Sequence, residues 1–189
     1  EGYQIISDYC IGCNGDVETV CLYSDVPLSE IQTVYLDYQS KTSVNLIKVL
    51  AKELWKISPK WKNADTNYID NIIGKTAGLV IGDRTFDLAK KYRYTFDLGA
   101  EWKKLTGLPF VFACWVAKKE VPNAVKTKFN EALKFGIDGK EDLILKLKLE
   151  SGIDHSNYLK NRILFTTGDQ GREAINLFLN YLSTPIIIS

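Results

Sequence analysis

The apolar and polar positions of this chain alternate between strand-like and helix-like segments. β-Branched and aromatic runs predict strands, and apolar positions three or four residues apart predict helices. The predicted strands are 3–9, 17–23, 33–36, 77–81, 94–98 and 110–117. The predicted helices are one that follows Ser40, then 68–73, 84–92, 100–105, 122–135, 139–151 and 170–182. Strands and helices in alternation, followed by a helical tail, predict an α/β fold.

Two of the predicted strands, 17–23 and 110–117, bracket a continuous α/β block. We expect them to lie side by side as a hinge between two lobes. Residues 23–111 then form the second lobe, while 1–22 and 112–189 form the first lobe with its C-terminal helices. Because little of a sheet precedes residue 17, the first lobe is predicted to be incomplete.

Composition narrows the possible partners. The 189 residues are 46% hydrophobic, and 24 Lys and Arg face 23 Asp and Glu, so no basic excess indicates nucleic acid or an anionic membrane. No apolar run approaches the roughly 20 residues that span a bilayer. The four cysteines do not form a dense disulfide framework, which predicts a cytoplasmic protein. The chain begins with Glu1 and contains no Met, so we expect a fragment, or a record that lacks its methionines.

Hydroxyl side chains stand where a predicted strand gives way to a helix, in Ser40-Lys41-Thr42-Ser43. Free backbone N–H groups and the positive end of a helix dipole lie at such a position, and together they suit a carboxylate. The same residues also suit a plain N-cap. The residues alone leave both interpretations open.

A second motif, Ile81-Gly82-Asp83, ends the predicted strand 77–81. Glycine lets a ligand approach the backbone closely, and Asp83 accepts a hydrogen bond either from a ligand hydroxyl or as a helix cap. In open α/β sheets the loops at strand ends gather around the ligand. The sequence therefore predicts a two-lobed protein that binds a small anion.

Metal and redox chemistry are not predicted. Cys10 and Cys13 have CxxC spacing, but a zinc site needs a second ligand pair and a redox motif needs a helix start. Cys21 and Cys114 supply no such spacing. His155 is the only histidine, which also disfavours a His-activated nucleophile.

Four segments carry a resemblance to a known family: Asp8–Gly12, Ser40–Val44, Ile81–Asp83 and Thr106–Ala113. Together they resemble the chorismate dehydratase family of the futalosine route of menaquinone biosynthesis, and the last segment is the most specific. The resemblance extends to about residue 183. It implies a type 2 periplasmic-binding-protein fold and a lyase that dehydrates chorismate to 3-[(1-carboxyvinyl)oxy]benzoate without a cofactor.

The resemblance also implies roles for individual residues. Thr19 stands where the family has a serine near the cleft, and it is the expected catalytic hydroxyl, while an enolpyruvyl carboxylate of the substrate acts as base. The expected substrate-binding residues are Ser40, Thr42, Ser43, Gly82 and Asp83. Asp16 replaces the family's proline, and Lys41 replaces its arginine. The family's first strand, which carries an Asn important to the site, is absent, so we expect these 189 residues alone to be inactive.

Two other functional classes remain open at this stage. A solute-binding protein for a small carboxylate would share the fold, and so would the effector-binding domain of a regulator. A related lyase of the same route, dihydroxynaphthoate synthase, relies on a histidine in its second lobe. No histidine lies between residues 25 and 115, which disfavours that enzyme.

Overall fold

The computed structural model describes residues 2–88, 90–151 and 155–183. The strands are β1 Gln4–Cys13, β2 Val20–Ser24, β3 Thr33–Leu36, β4 Lys60–Asn63, β5 Thr76–Ile81, β6 Tyr94–Asp97, β7 Phe110–Ala117 and β8 Leu164–Thr166. The helices are α1 Lys41–Leu50, α2 Leu98–Thr106, α3 Asn123–Asp138, α4 Lys140–Ser151 and α5 Gly168–Ser183. Short helical turns lie at 28–30, 51–55, 68–71, 82–85 and 158–162.

The strands form two sheets. The larger sheet has the order β4-β3-β5-β2-β6, with β3 parallel to β4 and β5, and with β2 antiparallel to β5 and β6. The smaller sheet has the order β7-β1-β8, and all of its pairs are antiparallel. An α/β architecture is therefore confirmed. The chain passes from one sheet to the other through residues 14–19 and again through 107–109.

The expected hinge pairing is wrong. The predicted strand 17–23 forms β2, which lies inside the larger sheet between β5 and β6, and β7 pairs with β1 instead. The physical reason is burial, because all five residues of β2 are buried, as a central strand requires. An apolar run indicates a buried strand but does not say which neighbours cover it.

Most other predicted elements are present with shifted ends, but one predicted helix is reduced to turns and two strands have no predicted counterpart. The predicted helix 84–92 is a short turn, Gly82–Thr85, followed by further turns in the described residues up to 92. Strands β4 and β8 were not predicted. Lys60–Asn63 is largely polar and lies at the edge of its sheet, and β8 has only three residues. Neither strand carries the apolar alternation that identifies a strand from sequence.

The core between the sheets is centred on Trp102 of α2, which is fully buried. Its ring lies 5.1 Å from that of Phe110 and 5.8 Å from that of Phe178, so one side chain connects α2, β7 and α5. Its indole N–H donates to the Pro109 carbonyl oxygen at 2.9 Å. Gly107, with φ of +75°, ends α2 in the left-handed conformation. The segment 106–113 therefore forms the joint between the two sheets.

No candidate membrane-spanning helix lies in the described part of the chain. None of its helices combines the length and the apolar character that a bilayer crossing requires.

Candidate functional site

Three of the segments singled out by the sequence meet at one edge of the larger sheet. Because β3 and β5 are parallel neighbours, the loops that follow them, 37–40 and 82–85, lie at the same edge. Strand β2 runs antiparallel to β5, which brings Thr19 to this edge as well. The Gly82 N–H donates to the Thr19 carbonyl oxygen at 2.8 Å. This region lies at the ends of the strands, not beside an outer strand of the sheet, and we call it the loop edge.

The hydroxyls at the start of α1 divide into two groups. Ser40 is the N-cap: its Oγ accepts from the Ser43 N–H at 3.1 Å and donates to the Ser43 Oγ at 2.9 Å. Ser43 is buried, whereas Thr42 is partly exposed and lines a groove beside β7 and α5. The capping interpretation is thus confirmed for Ser40. Of these three residues, Thr42 is the one that lines the groove.

Arg84 joins the loops 37–40 and 82–85. Its Nη2 donates to the Asp37 Oδ2 at 2.6 Å and to the Gln39 Oε1 at 2.8 Å, and its guanidinium lies over the Tyr38 ring. The Asp37 side chain is completely buried and also accepts from the Tyr68 hydroxyl at 2.7 Å. The guanidinium is therefore held in one place at the loop edge.

One nitrogen of this guanidinium is unsatisfied. The Arg84 Nη1 is buried, and no partner for it exists in the described ranges. A guanidinium with an unused donor suits a carboxylate, which it binds through parallel hydrogen bonds. Sequence reasoning missed Arg84 because the residues after Asp83 were assigned to a helix. Its position immediately after the Ile81–Asp83 motif was the available signal.

Thr19 has a partner that the sequence did not indicate. Its side chain is 5% exposed, and its Oγ1 lies 2.9 Å from the hydroxyl of Tyr158. Burial raises the pKa of Tyr158, and the negative charge of the exposed Asp83 acts in the same direction. The phenol therefore stays protonated near neutral pH. A separation of 139 residues hides this pair from any local pattern.

The backbone before Thr19 is held in an unfavourable conformation. Glu18 has φ of +65°, in the left-handed region that non-glycine residues rarely adopt. The N–H groups of Val17 and Glu18 donate to the Asp97 Oδ2 at 3.0 and 2.6 Å. Arg162 pairs with Glu18 at 2.6 Å and with Asp16 at 3.4 Å. Strain that is held from several sides is typical of functional loops.

Asp97 also caps α2. Its Oδ1 accepts from the N–H groups of Gly99 and Ala100 at 2.9 and 3.1 Å, so the carboxylate has four backbone donors in total. Burial raises the pKa of Asp97, while the backbone donors act in the opposite direction. One side chain thus fixes both the start of α2 and the loop that carries Thr19.

The cysteines are distributed over both sheets, and Cys21 lies beside the loop before Thr19, where its Sγ contacts the Glu18 carbonyl oxygen at 3.5 Å. Cys10 and Cys13 both belong to β1, where residues three apart point to opposite faces, and Cys10 stands opposite Cys114 of β7. All four thiols are free, and burial raises the pKa of Cys13 to about 12. In the described part of the chain, no group of three or more His, Cys, Asp or Glu is arranged to hold a metal ion.

Two cavities of the structure touch the predicted site residues only at Thr42. A cavity of about 500 Å³ lies between the smaller sheet, α3 and α4, and a groove of about 350 Å³ lies beside Thr42. The first is lined mainly by apolar side chains with Lys140 as its cation. Neither is lined by Thr19, Gly82 or Asp83. We place the candidate site at the loop edge because the donors for an anion lie there.

Comparisons with known proteins agree on the family. The family described as menaquinone biosynthesis matches residues 1–184. A chorismate dehydratase of Thermus thermophilus is 28% identical over 152 residues, which are 70% of this chain and 55% of that protein. The chain thus spans little more than half the length of this curated relative.

A solved structure supports the fold. The crystal structure of protein AF1704 from Archaeoglobus fulgidus matches with a TM-score of 0.65 and 15% identity, over 97% of this chain and 73% of that one. The family match confirms the resemblance carried by the sequence motifs. Because that match covers nearly every residue, the chain belongs to the menaquinone biosynthesis family.

Proposed function

We propose that the protein containing this chain is a chorismate dehydratase, a lyase that forms 3-[(1-carboxyvinyl)oxy]benzoate in menaquinone biosynthesis. The observation that carries the proposal is the 28% identity to the Thermus thermophilus chorismate dehydratase over 152 residues. The loop edge supports it, because hydroxyls, a helix N-terminus and a guanidinium gather there, as a substrate with two carboxylates requires.

The proposed reaction requires little acid–base chemistry from the protein. A C–H bond and the adjacent C–O bond of the ring break, water leaves, and the ring becomes aromatic without any net oxidation. With a carboxylate of the substrate as base, the protein contributes orientation and a preorganised polar environment. The reaction as written needs no cofactor.

Individual roles follow from position. The start of α1 with Thr42 binds one carboxylate, and Arg84, whose Nη2 donates to Gln39 just before α1, adds a second donor to it. Thr19 donates to the departing ring hydroxyl. The backbone of Gly82, which has φ of +70°, leaves space beside Thr19, and Asp83 accepts from a substrate hydroxyl.

The finer fold description is part of the same proposal. We assign the two sheets to the two lobes of a type 2 periplasmic-binding-protein fold, with the second lobe at about residues 23–111. Two features support this assignment: each sheet is hydrogen-bonded within itself, and the chain crosses between them twice. A cytoplasmic location stays a prediction.

The test uses protein expressed from the complete open reading frame and purified chorismate. We expect a new ultraviolet spectrum and a product whose mass is lower by one water, without added cofactor. Absence of product would overturn the proposal, and tight binding without conversion would favour a solute-binding protein.

Variants at the start of α1 separate substrate binding from capping. We expect Thr42→Ala to weaken chorismate binding by about 1.5–3 kcal/mol, the range for a hydrogen bond to a charged group. Ser43→Ala is expected to weaken binding less than Thr42→Ala, because Ser43 is buried and its hydroxyl accepts from the Ser40 Oγ. Ser40→Ala, the matched control, loses the N-cap and about 1 kcal/mol of unfolding free energy. Calorimetric titration and urea unfolding measure the two effects, and unchanged binding in Thr42→Ala would contradict the assignment.

A further inference from the structure

We propose that Tyr158 is a positioning residue of the reaction: its phenol fixes the hydroxyl of Thr19 and leaves the Thr19 proton for the substrate. This inference rests on the proposed dehydratase function, and it deepens that function by adding a residue that no motif of the chain indicated. It concerns the short helical turn Tyr158–Arg162, which belongs to neither sheet.

The direction of the hydrogen bond follows from the neighbours. The two hydroxyl oxygens are 2.9 Å apart, and either group is able to donate. Thr19 Oγ1 lies 3.5 Å from the Val17 carbonyl oxygen, and a proton directed at that weak acceptor points away from Tyr158 and is free to turn to a substrate oxygen. Tyr158 is then the donor. A hydroxyl that accepts one hydrogen bond becomes a better donor for another, because chains of hydrogen bonds polarise one another.

The turn Tyr158–Arg162 holds the Thr19 loop at a second point. Arg162 lies one turn after Tyr158 and pairs with Asp16 and Glu18, the residues that precede Thr19. The family's proline is replaced by Asp16 in this chain, and here that replacement supplies a partner for Arg162. The strained φ of Glu18 is therefore maintained from the same helical turn that positions the Thr19 hydroxyl.

Packing alone does not account for the Tyr158 hydroxyl. The ring stands edge-on to Phe86 at 6.2 Å, and a phenylalanine would fill the same space. The hydroxyl instead meets Thr19, the side chain with the expected catalytic role. The raised pKa of Tyr158 keeps the phenol a donor. Since Thr19 is almost completely buried, neighbouring groups rather than solvent set the orientation of its hydroxyl.

The experiment compares Tyr158→Phe with Tyr92→Phe in the complete protein. Tyr92 is buried and donates to the Ile69 carbonyl oxygen at 3.0 Å, so its variant also loses one partly buried phenol hydrogen bond, but one that does not involve Thr19. We expect Tyr158→Phe to lower kcat about tenfold with KM changed less than threefold, and Tyr92→Phe to lower neither. Thr19→Val combined with Tyr158→Phe should be no slower than Thr19→Val alone.

A second measurement does not depend on the reaction. Hydrogen exchange of the amides of residues 16–20 should accelerate in Tyr158→Phe and stay unchanged in Tyr92→Phe. A wild-type rate in Tyr158→Phe, or exchange no faster than in Tyr92→Phe, would overturn the inference. If the wild-type protein does not convert chorismate, the proposed function fails, and the exchange experiment still decides whether Tyr158 positions Thr19.

Discussion

Replacing Trp102 with alanine should lower the free energy of unfolding by about 3–5 kcal/mol, the usual range for deleting a large buried aromatic side chain. Trp102 is fully buried, and its ring contacts those of Phe110, Phe178 and Tyr181. Because domains of this size are stable by only about 5–15 kcal/mol, the variant should be partly unfolded at modest urea concentrations. Urea unfolding followed by circular dichroism measures the change.

Two further variants test the reason for this effect. Trp102→Phe keeps an aromatic ring but loses the N–H bond to the Pro109 carbonyl oxygen, so it should cost clearly less than the alanine variant. Trp115→Ala removes a tryptophan that is 49% exposed, and we expect it to cost less than half as much. Equal losses in Trp102→Ala and Trp115→Ala would mean that Trp102 does not anchor the core that connects α2, β7 and α5.

The order of the elements was predictable, and the pairing of the strands was not. Apolar alternation and helical periodicity are local, so they identified β3, β5 and β7 nearly to the residue. Pairing depends on which strands meet in space, and the burial of β2 fits either a hinge or a central position. The exposed β4 carried too few apolar residues to be recognised.

Only those residues of the candidate site that belong to a recognisable motif or to the family resemblance could be predicted from the sequence. Sequence motifs led to Thr42 at the start of α1 and to Gly82 after β5, and the family resemblance led to Thr19 just before β2. Arg84 and Tyr158 were missed for different reasons. Arg84 pairs with Asp37, which lies in the loop after the neighbouring strand β3. The hydroxyl of Tyr158 contacts that of Thr19, which is 139 residues away in the sequence. Contacts of this kind depend on tertiary packing, which no local spacing encodes.

Asp97 connects the stability of the fold to the geometry of the site, and we expect Asp97→Ala to affect both. The variant removes the cap of α2 and leaves the N–H groups of Val17 and Glu18 without their acceptor. The cap and the two amides are each worth about 1 kcal/mol, so unfolding free energy should fall by roughly 3 kcal/mol. Without its anchor, the left-handed Glu18 should relax and displace Thr19.

Matched variants separate the two effects of Asp97. Asp97→Asn keeps one carbonyl oxygen, which is able to cap α2 or accept from the Val17–Glu18 loop but not both, so an intermediate loss is expected. Asp25→Ala removes a carboxylate that accepts one backbone N–H, from Gly74, and should cost about 1 kcal/mol without changing turnover. Urea unfolding and chorismate turnover are measured on each variant under conditions where it is folded. A folded Asp97→Ala protein with wild-type kcat would show that catalysis does not need the strained loop before Thr19.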